Sequence, residues 1–179
     1  DGPSSDFFSG PKEPNRAVHF AGGRLRARVD PESLEGDYSV SIWFWNGMPA
    51  NGREVTGWMF SRGHNHGLGA GSDHLGLGGT AGHAGRLIYQ RSDDSAAVAG
   101  GKTEIKRWSW NHVVLVRSGE KVRIYLNGRA EPEIEMDVTA AGGSIDELFL
   151  GGRSDEAANW EGRLDEVALF NRALTPVEI

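Results

Sequence analysis

The chain has 179 residues, room for one domain with a substantial core, and its 38% hydrophobic and 25% charged residues are ordinary for a globular protein. A net charge of −6 and a pI near 5.5 exclude the basic stripe that nucleic acid or an anionic membrane surface requires. No run approaches the ~20 apolar residues that cross a bilayer, and the absence of cysteine excludes disulfides and thiolate metal sites.

Residues 1–16, with Asp1-Gly2-Pro3-Ser4-Ser5 and Gly10-Pro11-Lys12-Glu13-Pro14, lack periodicity and read as a linker or N-terminal arm. Residues 17–179 are expected to form the domain. Strand-like runs begin at Ala17–Phe20 and Arg24–Val29, parted by Gly22-Gly23. In Tyr38–Trp45 the residues Val40, Ile42 and Phe44 alternate with Ser41, Trp43 and Trp45, and both sets are largely apolar, which predicts a central strand. Gly57–Arg62 follows. The stretch from Gly63 to Gly85 is rich in Gly and His and reads as a pliable loop enclosing a short run at His74–Leu77. Next come Arg86–Gln90, then His112–Arg117 and Val122–Leu126 as a hairpin through Ser118-Gly119-Glu120-Lys121, with a second turn at Asn127-Gly128. Glu147–Leu150 and Arg163–Phe170 close the series, and Thr175-Pro176-Val177-Glu178 has the cap chemistry of a helix start. About ten strands, 26 scattered glycines and almost no helix predict an all-β, two-sheet antiparallel sandwich.

Three stretches carry a family resemblance. Tyr38–Phe44, then Trp110–Val116 running to Ile124-Tyr125-Leu126-Asn127-Gly128, then Leu150-Gly151-Gly152 with Gly162–Thr175, resemble in order and spacing the laminin G-like domains of the concanavalin A-like lectin/glucanase superfamily, in their bacterial exported form. The resemblance covers residues 17–179 and implies a jelly roll. It implies a non-catalytic module that binds carbohydrate, or a protein or cell surface, outside the cytoplasm and beside other domains of a longer chain. A structural spacer without a small ligand is the alternative. One sandwich hosts many activities, so the fold does not choose between them. Family members often hold calcium near the first and last strands, which points to Asp165; the family's early acidic position is Ala21 here, so one expected carboxylate is missing.

The acids Glu133, Glu135 and Asp137 alternate and would share one strand face, as a retaining glycosidase needs for carboxyls ~5–5.5 Å apart. Their order reverses that of laminarinase-type jelly rolls, and Pro132 just before them favours a charged edge strand. A glycan-cleaving enzyme is therefore not expected. His64, His66 and His74 form the densest imidazole group, expected to line a ligand rim. Among the six tryptophans, Trp43, Trp110 and Trp160 are expected in the core, whereas Trp45, Trp58 and Trp108 have no core position assigned, and Trp45 and Trp108 are the candidates for stacking on sugar rings.

Overall fold

The computed structural model describes residues 1–3, 14–91, 98–138 and 145–179. Twelve strands are described: β1 (Val18–Ala21), β2 (Leu25–Arg28), β3 (Tyr38–Asn46), β4 (Val55–Arg62), β5 (Asp73–Gly79), β6 (Gly82–Arg91), β7 (Ala99–Glu104), β8 (Trp110–Ser118), β9 (Lys121–Leu126), β10 (Ile134–Asp137), β11 (Glu147–Leu150) and β12 (Glu161–Phe170). They form two six-stranded antiparallel sheets, a first sheet ordered β1-β12-β3-β8-β9-β10 and a second ordered β2-β11-β4-β5-β6-β7. This is the expected jelly-roll sandwich.

Alternation builds the core. Val40, Ile42 and Phe44 of β3 meet Leu75, Leu77 and Leu87 of the facing sheet, each at most 1% exposed. The predicted central position of β3 holds, since it pairs with both β12 and β8. The turns fall where positive φ was required, with Gly119 at 57°, Asn127 at 53° and Gly128 at 67°.

Two expectations need correction. Residues 63–85 are not one loop, because β5 and the start of β6 run through them as a paired ladder. The glycines of β5 serve close approach, not pliability. A Cβ on Gly76 would stand 2.4 Å from the Gly57 carbonyl oxygen, so the strand packs only without a side chain there. The remaining loop, 63–72, is also pinned: the Asn65 amide N–H donates to Glu147 (2.8 Å), the Asn65 side-chain oxygen accepts from Arg24 (2.8 Å), and the His66 N–H donates to the Ser154 carbonyl (2.8 Å). At the C-terminus, the Thr175 N–H and hydroxyl both donate to Glu178 (2.9 Å each), closing a single turn.

Candidate functional site

The outward residues of β3 create the site. Trp43 and Trp45 leave the core side by strict alternation and lie half-buried on the outer face of the first sheet. Register supplies their neighbours. Trp45 stands opposite Arg163 of β12 and Trp110 of β8, and Trp43 opposite Asp165 and His112. The Arg163 guanidinium lies 4.9 Å from the Trp45 ring centroid. His112 stacks on Trp43 at 5.2 Å and 28°, and its Nε2 is 2.8 Å from the Ser41 hydroxyl. Burial lowers the His112 pKa, which favours the neutral imidazole.

The segment leading into β8 adds the most exposed ring. The Trp108 N–H donates to the Asn46 carbonyl (2.9 Å) and Arg107 donates to the Gly47 carbonyl (2.8 Å), which fastens this turn to the end of β3 beside Trp45. Trp108 is 64% exposed and sits at φ 61°, a left-handed conformation that is rare for a bulky side chain. Arg107 covers one side of the indole at 4.2 Å, orienting a ring whose remaining surface faces water.

Trp45 and Trp108, singled out from sequence, are thus neighbours through the backbone, since the Trp108 N–H bonds to the residue after Trp45. Trp43 and Trp110 are not core residues as expected but half-exposed members of the same face. Which alternate set of β3 points inward is ambiguous when both are apolar, and the Trp45–Trp110 pairing depends on a register that no local pattern states. Trp160 is buried as expected.

The histidines separate. His64 and His66 are exposed on the pinned loop, where His66 Nδ1 lies 3.6 Å from Glu156. His74 is on β5 with no exposed surface, so it does not share a rim with them. Its Nδ1 is 2.8 Å from the Ser61 hydroxyl, and burial lowers its pKa to about 4.

Asp165 occupies the bulge of β12, where its Oδ1 accepts from the Glu166 N–H (3.0 Å). Among the described residues no three His, Cys, Asp or Glu side chains gather to hold a metal ion, and the shallow pocket at Asp165 is shared with Glu166 and apolar side chains. The suspected acid pair is tied up. Glu133 turns toward the other sheet and accepts from the Lys102 N–H, the Thr103 N–H and the Thr103 hydroxyl at 2.7, 2.8 and 2.6 Å. Glu135 pairs with Arg123 (2.7 Å) and Asp137 with Lys121 (3.1 Å) on the edge strand β10.

The opposite face of the sandwich carries a cavity of about 440 Å³ lined by Glu54, Trp58, His83, Gln90 and Arg153. Its Trp58 is 1% exposed beneath the Arg153 guanidinium, which is held by Gln90 (2.8 Å) and Asp155 (2.8 and 2.9 Å). That indole offers little surface for stacking.

Comparison with known proteins places this geometry in context. The profile described as the concanavalin A-like lectin/glucanases superfamily matches residues 22–179. Domain 4 of the extracellular arabinanase AbnA from Geobacillus stearothermophilus, solved with arabinotriose, is similar at 20% identity and TM-score 0.63, over 93% of this chain and 75% of that one. A native heptameric SAP-like pentraxin from Limulus polyphemus is similar at 20% identity and TM-score 0.59, with the same two coverages. Trypanosoma rangeli sialidase is similar at 16% identity and TM-score 0.66, over 93% of this chain but 27% of the sialidase. No curated protein sequence matches.

Proposed function

The chain belongs to the laminin G-like branch of the concanavalin A-like lectin/glucanases superfamily, and from that premise we propose that it is a non-catalytic carbohydrate-binding module of an exported protein. Trp108, Trp45 and Trp110 form the stacking surface. Trp108 carries the reading: a large apolar ring held 64% exposed in an unfavourable backbone conformation has hydrophobic free energy that a stacked sugar would recover. Sugars present flat C–H faces to such rings, and Arg107 and Arg163, each over one face of its indole, leave the other face for stacking and bring polar groups for ring hydroxyls. The neutralised positions of Glu133, Glu135 and Asp137 support a role without hydrolysis.

Arabino-oligosaccharides are the first probe, because a similar domain was solved with arabinotriose, followed by a glycan array. Trp108→Ala and Trp45→Ala are expected to weaken the captured glycan about tenfold or more. The exposed Trp108→Ala should leave the thermal midpoint within about 2 °C of the parent. Arg153→Ala, across the sandwich, should bind normally. If Trp108→Ala binds with parental affinity, the site is elsewhere; if no glycan binds at all, the spacer role replaces this one.

Calcium at Asp165 remains a separate proposal from the family pattern, with backbone carbonyls and water as the other oxygen ligands. A native-state ligand raises the unfolding midpoint by mass action, so calcium should raise it in the parent and not in Asp165→Asn. Equal parental midpoints in calcium and in chelator would retire the idea.

A further inference from the structure

The space between the sheets holds an ionic cluster that the glycan-binding face does not use. On the second sheet, Arg62, Asp73 and Arg91 stand in one row across β4, β5 and β6. On the first, Tyr38 of β3 stands opposite Arg117 of β8. Asp73 has no exposed surface, and four contacts occupy it: the Tyr38 hydroxyl donates at 2.6 Å, the Tyr89 hydroxyl at 2.5 Å, and Arg117 Nη1 at 2.8 and 3.1 Å. Burial, then the Asp73 charge, raises both tyrosine pKa values well above the ordinary phenol, so both are neutral donors.

Arg62 is left with the poorer share. It is fully buried, yet its Nη1 stands 3.7 Å from Asp73 and donates its good hydrogen bond to the Gly71 carbonyl at 3.0 Å. Among the described residues its Nε and Nη2 have no hydrogen-bond partner. These two N–H groups lie on the same edge of the planar guanidinium and point in parallel, the fork that grips one acceptor from two sides. Arginine does not deprotonate in proteins, so the charge cannot be relieved by losing a proton. A water at this edge would satisfy the donors and leave the charge. A small anion would answer both.

We propose that the Nε/Nη2 edge of Arg62 holds a small monovalent inorganic anion, of the chloride class, sealed between the sheets beneath the 63–72 loop. The anion is structural. It completes the buried cluster that clamps β3 and β8 to β4, β5 and β6.

The test uses the whole chain with halide as the probe. Unfolding midpoints are compared in chloride and in gluconate at matched ionic strength, and crystals are exchanged into bromide for anomalous diffraction. Because the anion binds only the native state, chloride should raise the parental midpoint by about 2–5 °C. A bromide peak should appear within hydrogen-bonding distance of Arg62 Nε and Nη2. Arg62→Met, of similar length without charge, should lose the chloride response, and Arg62→Lys, with a single point of charge, should reduce it. Should Arg62→Met fail to fold, the bromide peak in the parent decides alone. A parental midpoint that ignores chloride, together with density for water and no anomalous signal at that edge, overturns the proposal. A chloride response that persists in Arg62→Met also overturns it, because the anion then acts elsewhere.

Discussion

His74 is the residue on which local environment acts most plainly. With no exposed surface and Trp58 edge-on at 5.9 Å, its imidazole is stabilised as the neutral form. Burial first, then the nearby Arg153 charge, lowers its pKa from 6.5 to about 4. The unfolded chain therefore binds a proton below pH 6.5 that the folded chain refuses until about pH 4. The stabilising contribution is fully present above pH 6.5 and is lost as the pH falls through that window, on the order of 3 kcal/mol across it. His112, also lowered by burial, acts in the same direction. Glu133, Glu147 and Asp155 have depressed values, so their contributions fade only at lower pH. Between pH 7.5 and 5 the parent should lose about 4 °C or more of its thermal midpoint, and His74→Gln should lose measurably less. Equal losses in parent and variant would show that His74 is not the group responsible. The same burial removes His74 from ligand contact, so any pH dependence of glycan binding has to come from other groups.

At the scale of elements, what was legible followed the physics of two-fold periodicity. β3, β8, β9 and β12 carry apolar alternation bounded by turn residues, and each was found within one or two residues of its bounds. β5 was only half seen and β7 missed, because Gly76, Gly78 and Gly79 and the run Ala99-Gly100-Gly101 look like loop. For β5 the cause is a close approach between backbones that becomes visible only when the neighbouring chain is in place, since Gly79 would push a Cβ to 2.1 Å from the Arg53 carbonyl; in β7, Gly100 instead makes room for the His83 side chain of β6. Glu133 shows the limit of alternation from the other side. It precedes β10 and bends toward Thr103 of β7, so the carboxylate joins the last strands of both sheets where the sandwich would otherwise gape. Of the candidate site, the exposed Trp108 and outward Trp45 were legible as tryptophans without a core assignment. Trp110, Arg107 and Arg163 were not, because they reach the site through register and a turn.

On the scale of the molecule, charge and stacking make different demands on a ligand. The chain carries a net charge of −6, and the two guanidiniums at the aromatic face lie over indole rings at 4.2 and 4.9 Å. Each is positioned to orient a ring, and Asp165, Glu161 and Glu166 stand on the same closing strand. A net negative charge disfavours long-range attraction for a polyanion, so the proposed glycan binding would rest on short-range contact between sugar faces and tryptophan. Such contacts are insensitive to ionic strength, whereas capture of a charged chain weakens steeply as salt shortens the ~10 Å screening length present at 0.1 M. The glycan that depends on Trp108 should therefore be neutral, and its Kd should change by less than about twofold between low and high salt. Calorimetric titration of that glycan at two ionic strengths reads this directly, with an acidic polysaccharide run beside it. A many-fold loss in salt, or tighter binding of the acidic polymer, would mean that Arg107 and Arg163 contact the ligand as charges and that the indoles serve as their supports.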